Sequence, residues 1–241
     1  MTGKFLSAIS IGAMLAAVPA QAVTNLIVNG SFEDGLNGFT HVVTAGETHP
    51  AVVINYGPAA AYPAGAFGEA VAADTSTSNS PDAVGGHAAY FVDDNARGES
   101  LRQLTFLQVG NYEIGFSAYL PKNGFNNSHD ATLSGKIIGV TVASFAASSG
   151  TAQKWVNYSG VAQITQAGYY LTSFDFSSFG AAAKDFVIDR VYAIATDKPA
   201  TVIIPPTPTT PVPEPATWAL FIVGFALVGA AQRRRIGAFA A

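Results

Sequence analysis

The chain has no cysteine, which removes disulfides, thiolate nucleophiles and cysteine-ligated zinc together. Its fold must therefore be held by a packed core, with or without a bound metal. Charge is scarce too, at 12% of residues, and it is unevenly signed. Between Val23 and Asp197 there are 7 basic and 15 acidic side chains, a formal charge of −8. Such a segment offers nucleic acid no basic footprint. Lys, Glu and Leu runs at helical spacing are rare over the same stretch, so little of it reads as helix. The four histidines (His41, His49, His87 and His129) lack H-x-x-x-H or any other tight ligand spacing, and no zinc site is expected. His129 and Asp130 are neighbours that could pair locally. Serines are plentiful but none sits in a G-x-S-x-G elbow. A glycosidase needs two carboxylates facing each other across a cleft, which the scattered acids permit without indicating.

What is present is the vocabulary of β-structure. From Val23 to Asp197 the chain is rich in Gly, Ser, Thr, Val, Phe and Tyr, and short apolar segments alternate with Gly, Asn, Asp and Pro clusters. That pattern predicts an all-β sandwich or barrel, and the 175 residues are enough to build a core. Strands are expected near Leu26–Val28, Ala51–Tyr56, Ala88–Val92, Leu101–Val109, Tyr112–Leu120, Lys136–Ala143, Lys154–Ile164, Gly168–Phe176 and Asp185–Ile194. The clearest alternation puts Tyr112, Ile114, Phe116, Ala118 and Leu120 on one face, with Glu113, Gly115, Ser117 and Tyr119 on the other. Tyr170, Thr172, Phe174 and Phe176 form a second such face. Gly110-Asn111 suits a two-residue hairpin turn. Ala72 to Gly86 and Pro121 to Asp130 read as long surface loops, places where binding residues often sit. Asp93-Asp94-Asn95-Ala-Arg97-Gly98 hints at an EF-hand loop but fails it, because Arg97 fills a ligand position and Leu104 stands where a bidentate glutamate belongs. A plain acidic turn is expected there.

The two ends are different in kind. Lys4, the apolar stretch Phe5 to Val18 and Ala20-Gln21-Ala22 read as a secretory signal peptide over residues 1–22, so the mature chain is expected to begin at Val23. From Pro199 to Pro215 lie seven of the thirteen prolines, read as a Pro-rich stalk over residues 198–212, roughly 50 Å long at ~3.1 Å per residue. An uncharged apolar run of 16 residues, Ala216 to Ala231, then leads to Arg233-Arg234-Arg235. As a helix it would measure about 24 Å, a little short of the ~30 Å hydrocarbon core. It is expected to span a membrane with local thinning or snorkelling, leaving the arginines in the cytoplasm.

Pro213, Glu214, Pro215, Trp218, Ala219 and the cluster Arg233, Arg234, Arg235, in that order, resemble the PEP-CTERM sorting signal of Gram-negative bacteria, here spanning 213–236. The resemblance implies recognition by an exosortase, cleavage near the Pro-Glu-Pro and an association with exopolysaccharide. One mild departure is that six residues, Ile236 to Ala241, trail the arginines.

Within the domain, Asn25-Leu-Ile-Val-Asn-Gly-Ser-Phe-Glu-Asp-Gly35 and Asp185-Phe-Val-Ile-Asp-Arg-Val-Tyr192 resemble the first and last strands of jelly-roll, carbohydrate-binding-like (galactose-binding-like) modules. That resemblance implies a jelly-roll β-sandwich over residues 23–197 and a structural calcium joining the terminal strands through Glu33 and Asp189. Calcium wants carboxylate and carbonyl oxygens at 2.3–2.6 Å. The other reading has Glu33 capping a turn, with Asp189 facing solvent or pairing with an arginine. A sugar site needs exposed rings beside polar groups; Trp155, Tyr158, Tyr56, Tyr62, Phe67 and Phe125 are available, and Trp155 also reads as a core or strand-edge residue. The reading that results is a non-catalytic, exported surface module. A polysaccharide-active hydrolase and a purely structural matrix protein are the alternatives.

Overall fold

A computed structural model describes residues 23–92 and 98–206. The expected signal peptide, the expected acidic turn after Val92, the greater part of the expected proline stalk and the sorting segment with its apolar run fall outside the described residues. Among the described residues eleven strands and one short α-helix follow in order, with a 3-10 turn at Ala147–Ser149. They are β1 Thr40–Val43, β2 Val52–Asn55, β3 His87–Phe91, β4 Glu99–Leu107, β5 Gly110–Tyr119, α1 Lys122–Phe125, β6 Ala131–Ile137, β7 Val140–Ala146, β8 Val156–Ile164, β9 Gly168–Ser178, β10 Phe186–Ala195 and β11 Val202–Ile204. Two sheets form, a five-stranded one ordered β1-β4-β9-β6-β7 and a six-stranded one ordered β11-β8-β5-β10-β3-β2. The chain steps from one sheet to the other between β1 and β2, β3 and β4, β4 and β5, β5 and β6, β7 and β8, β8 and β9, and β9 and β10. This is the jelly-roll sandwich that the sequence predicts. Among the described residues every pairing between named strands is antiparallel except β11 on β8.

The core between the sheets follows from the period-2 alternation. Tyr112, Ile114, Phe116 and Ala118 of β5 cluster there with Leu101, Leu107, Leu133, Tyr170, Phe174, Phe176, Phe186 and Ile188. Rings fill most of it: Phe91 stacks on Phe176 at 5.9 Å and Phe145 on Tyr158 at 4.0 Å. Each fully buried ring contributes about 1.5–3 kcal/mol, and this is how a chain without disulfides holds together.

Four expectations need correction. No strand forms at Leu26–Val28; these residues make turns, with Leu26 N–H donating to the carbonyl of Ala193 (2.9 Å) and Val191 N–H donating to that of Gly30 (2.9 Å). The strand expected at Lys136–Ala143 is instead a hairpin, β6 into β7. Ile137 pairs with Val140 and the two residues between them, Ile138 and Gly139, both have positive φ (42° and 81°), as the tightest hairpin loops demand. Isoleucine at such a position hides the turn. Gly110-Asn111 does not join two strands of one sheet: β4 and β5 lie in different sheets, and Gly110 already pairs with Ile164. Finally, the domain does not stop at Asp197. Thr201 N–H donates to the carbonyl of Val161 (2.8 Å), and β11 buries Ile204 completely, so part of the expected stalk is a strand.

The outer face of the six-stranded sheet is also buried, contrary to a simple polar-out reading. Tyr90, Tyr119, Trp155 and Val187 form a second apolar cluster there with Ala66 and Val71. The segment 72–86, expected as a surface loop, is a strap laid over this face. Arg190 holds it: its Nε and Nη2 reach Asp74 Oδ2 at 2.7 and 2.6 Å, and Nη2 also donates to the Ser76 carbonyl at 2.9 Å. Asn79 donates to Glu113, Asn157 to Ser78 and Asn25 to Asp82. Arg190 reaches the strap because β10 bulges. Asp189 pairs with Ser117 and Tyr192 with Gly115, three steps against two, and Arg190 takes φ 45°. Asp189 beside it is buried, accepting from the Tyr56 hydroxyl (2.7 Å) and the Arg190 amide (2.6 Å). Burial, with the Asp74 charge adding, pushes its carboxyl up to about 8 against the donors' opposite pull.

Two outcomes test this packing on the purified full chain. A Cβ at Gly115 would lie 2.5 Å from the Tyr192 ring, so Gly115→Ala is expected to lower the denaturation midpoint by the equivalent of about 1–3 kcal/mol. An unfolded aspartate titrates near ~3.9, so between about pH 4 and 8 the unfolded chain has released a proton that folded Asp189 keeps. The contribution of Asp189 is therefore full below about pH 4 and lost as pH rises through 8. Unfolding free energies at pH 5 and pH 9 are expected to fall less steeply in Asp189→Asn than in the parent chain; an equal slope would place the ionisation elsewhere.

Candidate functional site

The two residues expected to share a calcium are drawn to different partners. Glu33 Oε1 accepts from the amides of Gly86 and His87, both at 2.9 Å, and Oε2 lies 3.1 Å from His87 Nδ1. Burial opposes ionisation slightly, yet these donors hold the Glu33 carboxyl below its usual range. Asp189 sits under the strap with the phenol and amide already described. Carboxylates surrounded by N–H and O–H donors are not the oxygen-only cage of six to eight ligands that calcium takes. Among the described residues no group of three or more His, Asp or Glu could hold a metal ion. The donor set thus does not fit the expected clip. The turn-capping alternative describes Glu33 correctly, and Asp189 is buried rather than solvent-facing.

The other expected site residues are also accounted for by packing. Trp155 is 5% exposed, donates Nε1–H to the Ala72 carbonyl (2.7 Å) and lies against Tyr56 and Tyr119. Tyr158 is stacked between the sheets, Tyr62 donates to the Pro50 carbonyl and Phe125 carries the Lys184 ammonium over its ring at 4.5 Å. Only Phe67 of that set is well exposed, at 42%. His129 pairs with Ser128 rather than with Asp130, whose carboxylate caps Ser148. His41 meets Glu99 instead, at 3.1 Å.

With one sheet strapped over, the outer face of the five-stranded sheet stands out. Leu101 and Leu107 of β4 and Tyr170, Phe174 and Phe176 of β9 point inward, so the intervening residues point out. Register sets them in four rungs: Ser100 opposite Asp175, Arg102 opposite Ser173, Leu104 opposite Leu171 and Phe106 opposite Tyr169. At ~3.4 Å per residue the four rungs cover about 20 Å. The first two are polar and tightly bonded. Arg102 Nε donates to Ser100 Oγ (2.9 Å), Ser100 to Asp175 Oδ1 (2.5 Å), and Lys136 from β6 meets Asp175 Oδ2 at 2.8 Å. Burial opposes ionisation of Asp175, but the bonds from Lys136, Ser100 and Ser173 hold its carboxyl below the usual range. A cleft of about 300 Å³ opens over these groups. The last two rungs are apolar and uncovered. Leu104 is 63% exposed, Phe106 45% and Tyr169 63%, with the two rings edge to face at 5.1 Å.

This face can stack a ring at one end and exchange hydrogen bonds at the other. Sequence reading missed it because Leu-Thr-Phe-Leu (104–107) is apolar on both sides of β4 and reads as a doubly buried strand. The signal was in β9, where Tyr169 and Leu171 are out of phase with the inward set beginning at Tyr170.

Comparison with curated proteins gives no match. Among solved structures, the chain is similar to the carbohydrate-binding module TmCBM61 in complex with β-1,4-galactotriose (18% identity over 72% of this chain and 99% of that one, TM-score 0.43). It is also similar to a family 16 carbohydrate-binding module (17%, 70% and 99%, TM-score 0.41) and to the cyclase Fisc from Fischerella sp. TAU (14%, 74% and 100%, TM-score 0.48). Their activities differ, and likeness at this level assigns none to the present chain. Among the described residues no helix is long and apolar enough to cross a membrane. In the tail, residues 211–235 match the PEP-CTERM protein-sorting motif, a signal of the kind that marks exported proteins for an exosortase.

Proposed function

We propose that this chain is an exosortase-sorted, non-catalytic surface module that binds exopolysaccharide through the outer face of its five-stranded sheet. The observation that carries the reading is the exposed Phe106–Tyr169 pair on the same uncovered face as the Arg102–Ser100–Asp175–Lys136 chain. Uncovered aromatic surface of this kind marks an interaction site. A pyranose offers what such a face can use, a C–H face for the rings and hydroxyls for the charged groups. Four rungs in line suit a strand of polysaccharide better than a compact small molecule. The apolar run after the tripeptide would hold the chain at the membrane until the exosortase cuts.

The lining of the cleft supports the non-catalytic part. Two carboxylates line it, Glu99 and Asp175, the residue types a polysaccharide hydrolase requires. Glu99 pairs with inward-facing Phe176, however, and Asp175 with outward-facing Ser100. Neighbouring residues on a strand point to opposite faces, so the two acids do not flank one bond. Asp175, held ionised by a lysine and serines, is a poor proton donor.

In titrations of the purified full chain with the host's own exopolysaccharide, saturable binding is expected, unchanged by EDTA. Phe106→Ala and Tyr169→Ala are each expected to weaken it about tenfold or more without moving the melting temperature downward. A chain that does not bind, or that binds equally well without both rings, would leave a structural matrix role. Release of reducing ends, abolished by Glu99→Gln, would establish the hydrolase.

A further inference from the structure

The polar end of the five-stranded face carries more positive charge than its own contacts use. One rung, Thr40–Arg102–Ser173–Lys136, crosses four strands and holds two cations and no acid. The rung beside it contributes Asp175, opposite Ser100, and no further charge. We infer, on the reading that this face binds polysaccharide, that Arg102 makes its polar end selective for a carboxylate, so that the polymer lying there carries uronic acid residues.

What the existing bonds leave free is almost all donor. Arg102 Nε donates to Ser100 Oγ at 2.9 Å, which restrains the plane of the guanidinium before any ligand arrives. Its Nη1 and Nη2 groups have no partner among the described residues, and the half-buried side chain lines the cleft. Those two nitrogens present their N–H bonds in one plane, the arrangement that meets both oxygens of a carboxylate at once. A lysine at this position would offer charge without that fork. Lys136 gives one of its three donors to Asp175 Oδ2 (2.8 Å) and keeps the others. Asp175 is the opposite case. It accepts from Lys136, from Ser100 (2.5 Å) and from Ser173, which fill most of the roughly four acceptor positions of an ionised carboxylate. A neutral sugar hydroxyl both gives and receives hydrogen bonds in water, and this end of the face can mostly give. A carboxylate only receives.

Charge balance points the same way. Arg102 and Lys136 stand two strands apart, about 10 Å at ~4.8 Å per strand, with one carboxylate beside them, so a ligand carboxylate would bring the group to neutrality. Glu99, the other acid in the lining, lies on the inner side of the sheet. Its side chain is 2% exposed, with Oε2 accepting from the Ala51 amide (2.8 Å) and 3.1 Å from His41 Nε2. The formal charge of −8 between Val23 and Asp197 opposes an anionic polymer. At ~0.15 M salt the Debye length is only ~8 Å, so distant acids are largely screened while a direct guanidinium–carboxylate contact is not. Along β4, Arg102 is four residues from Phe106, about 14 Å, farther than one pyranose ring is wide. The carboxylate and the stacked ring therefore belong to different residues of one polymer, which is why the ligand is a polysaccharide and not a free sugar acid.

The test titrates the purified full chain with the host's own exopolysaccharide, native and after chemical reduction of its carboxyl groups to primary alcohols, a treatment that leaves sulfate and phosphate esters in place. Reduction is expected to weaken binding about tenfold, the loss of one charge-assisted contact, and to flatten the fall in affinity between about 50 and 500 mM NaCl. Arg102→Gln is expected to weaken binding of the native polymer by a similar factor and to add little once the polymer is reduced, because both changes remove the same contact. Phe106→Ala is expected to weaken native and reduced polymer alike. The reduction arm needs no variant, so it decides the matter even where Arg102→Gln lowers the melting temperature. Equal binding of native and reduced polymer would overturn the carboxylate selectivity and leave the sheet-face reading standing. Losses from reduction and from Arg102→Gln that simply add would take the carboxylate away from Arg102. Binding of neither polymer would overturn the sheet-face reading and this inference with it.

Discussion

The buried pair between Arg190 and Asp74 decides which surfaces of this protein are open. An isolated buried ion pair adds little net stability, because desolvation offsets the attraction, but removing one partner leaves an uncompensated charge and costs about 3–5 kcal/mol. The pair therefore acts as a register pin. It exists because β10 carries one extra residue between Asp189 and Tyr192. Without the bulge, strict alternation would turn Arg190 inward, toward the phenylalanines between the sheets. With it, Val191 packs into that core while Asp189, Arg190 and Tyr192 all meet groups on the strapped side.

From that pin the rest follows. The strap roofs the outer face of the six-stranded sheet and buries Tyr90, Tyr119 and Trp155, giving the domain a second apolar cluster in place of disulfides. The amino-terminal residues are stitched to the same strand, with Asn25 bonding to Asp82 of the strap and to the backbone of Val191 and Ala193. Hydrogen bonds thus fasten the start of the domain to β10 where a calcium clip was expected. Among the described residues the five-stranded sheet has no such roof, and Phe106 and Tyr169 are exposed.

The sequence makes the central strands legible wherever one face is strongly apolar. The alternation from Tyr112 to Leu120 and from Tyr170 to Phe176 is carried by large rings, and β5, β9 and β10 lie within two residues of their expected positions. Legibility failed where the local rule was bent. Ile138 in a left-handed turn concealed the hairpin between β6 and β7. The strap, made of Thr, Ser and Asn, has the composition of a solvent loop, and nothing local announces that Arg190, more than a hundred positions away, will bury its carboxylate. The candidate sugar platforms include rings of expected strands (Tyr56, Trp155 and Tyr158) as well as loop rings (Tyr62, Phe67 and Phe125), and all but one are buried or half-buried. Phe67 is the exception, and its exposure is bought with an unfavourable backbone conformation.

The carboxyl end of the domain carries one more consequence for display. The Pro-rich segment reads as a stalk from residue 198, but Val202 to Ile204 is zipped to β8 and Ile204 is fully buried. That leaves eight residues, 205–212, between the last strand and the Pro-Glu-Pro tripeptide, and a chain of that length spans at most about 29 Å. The reach available to this segment is therefore shorter than the roughly 50 Å that composition alone suggests for a stalk from residue 198.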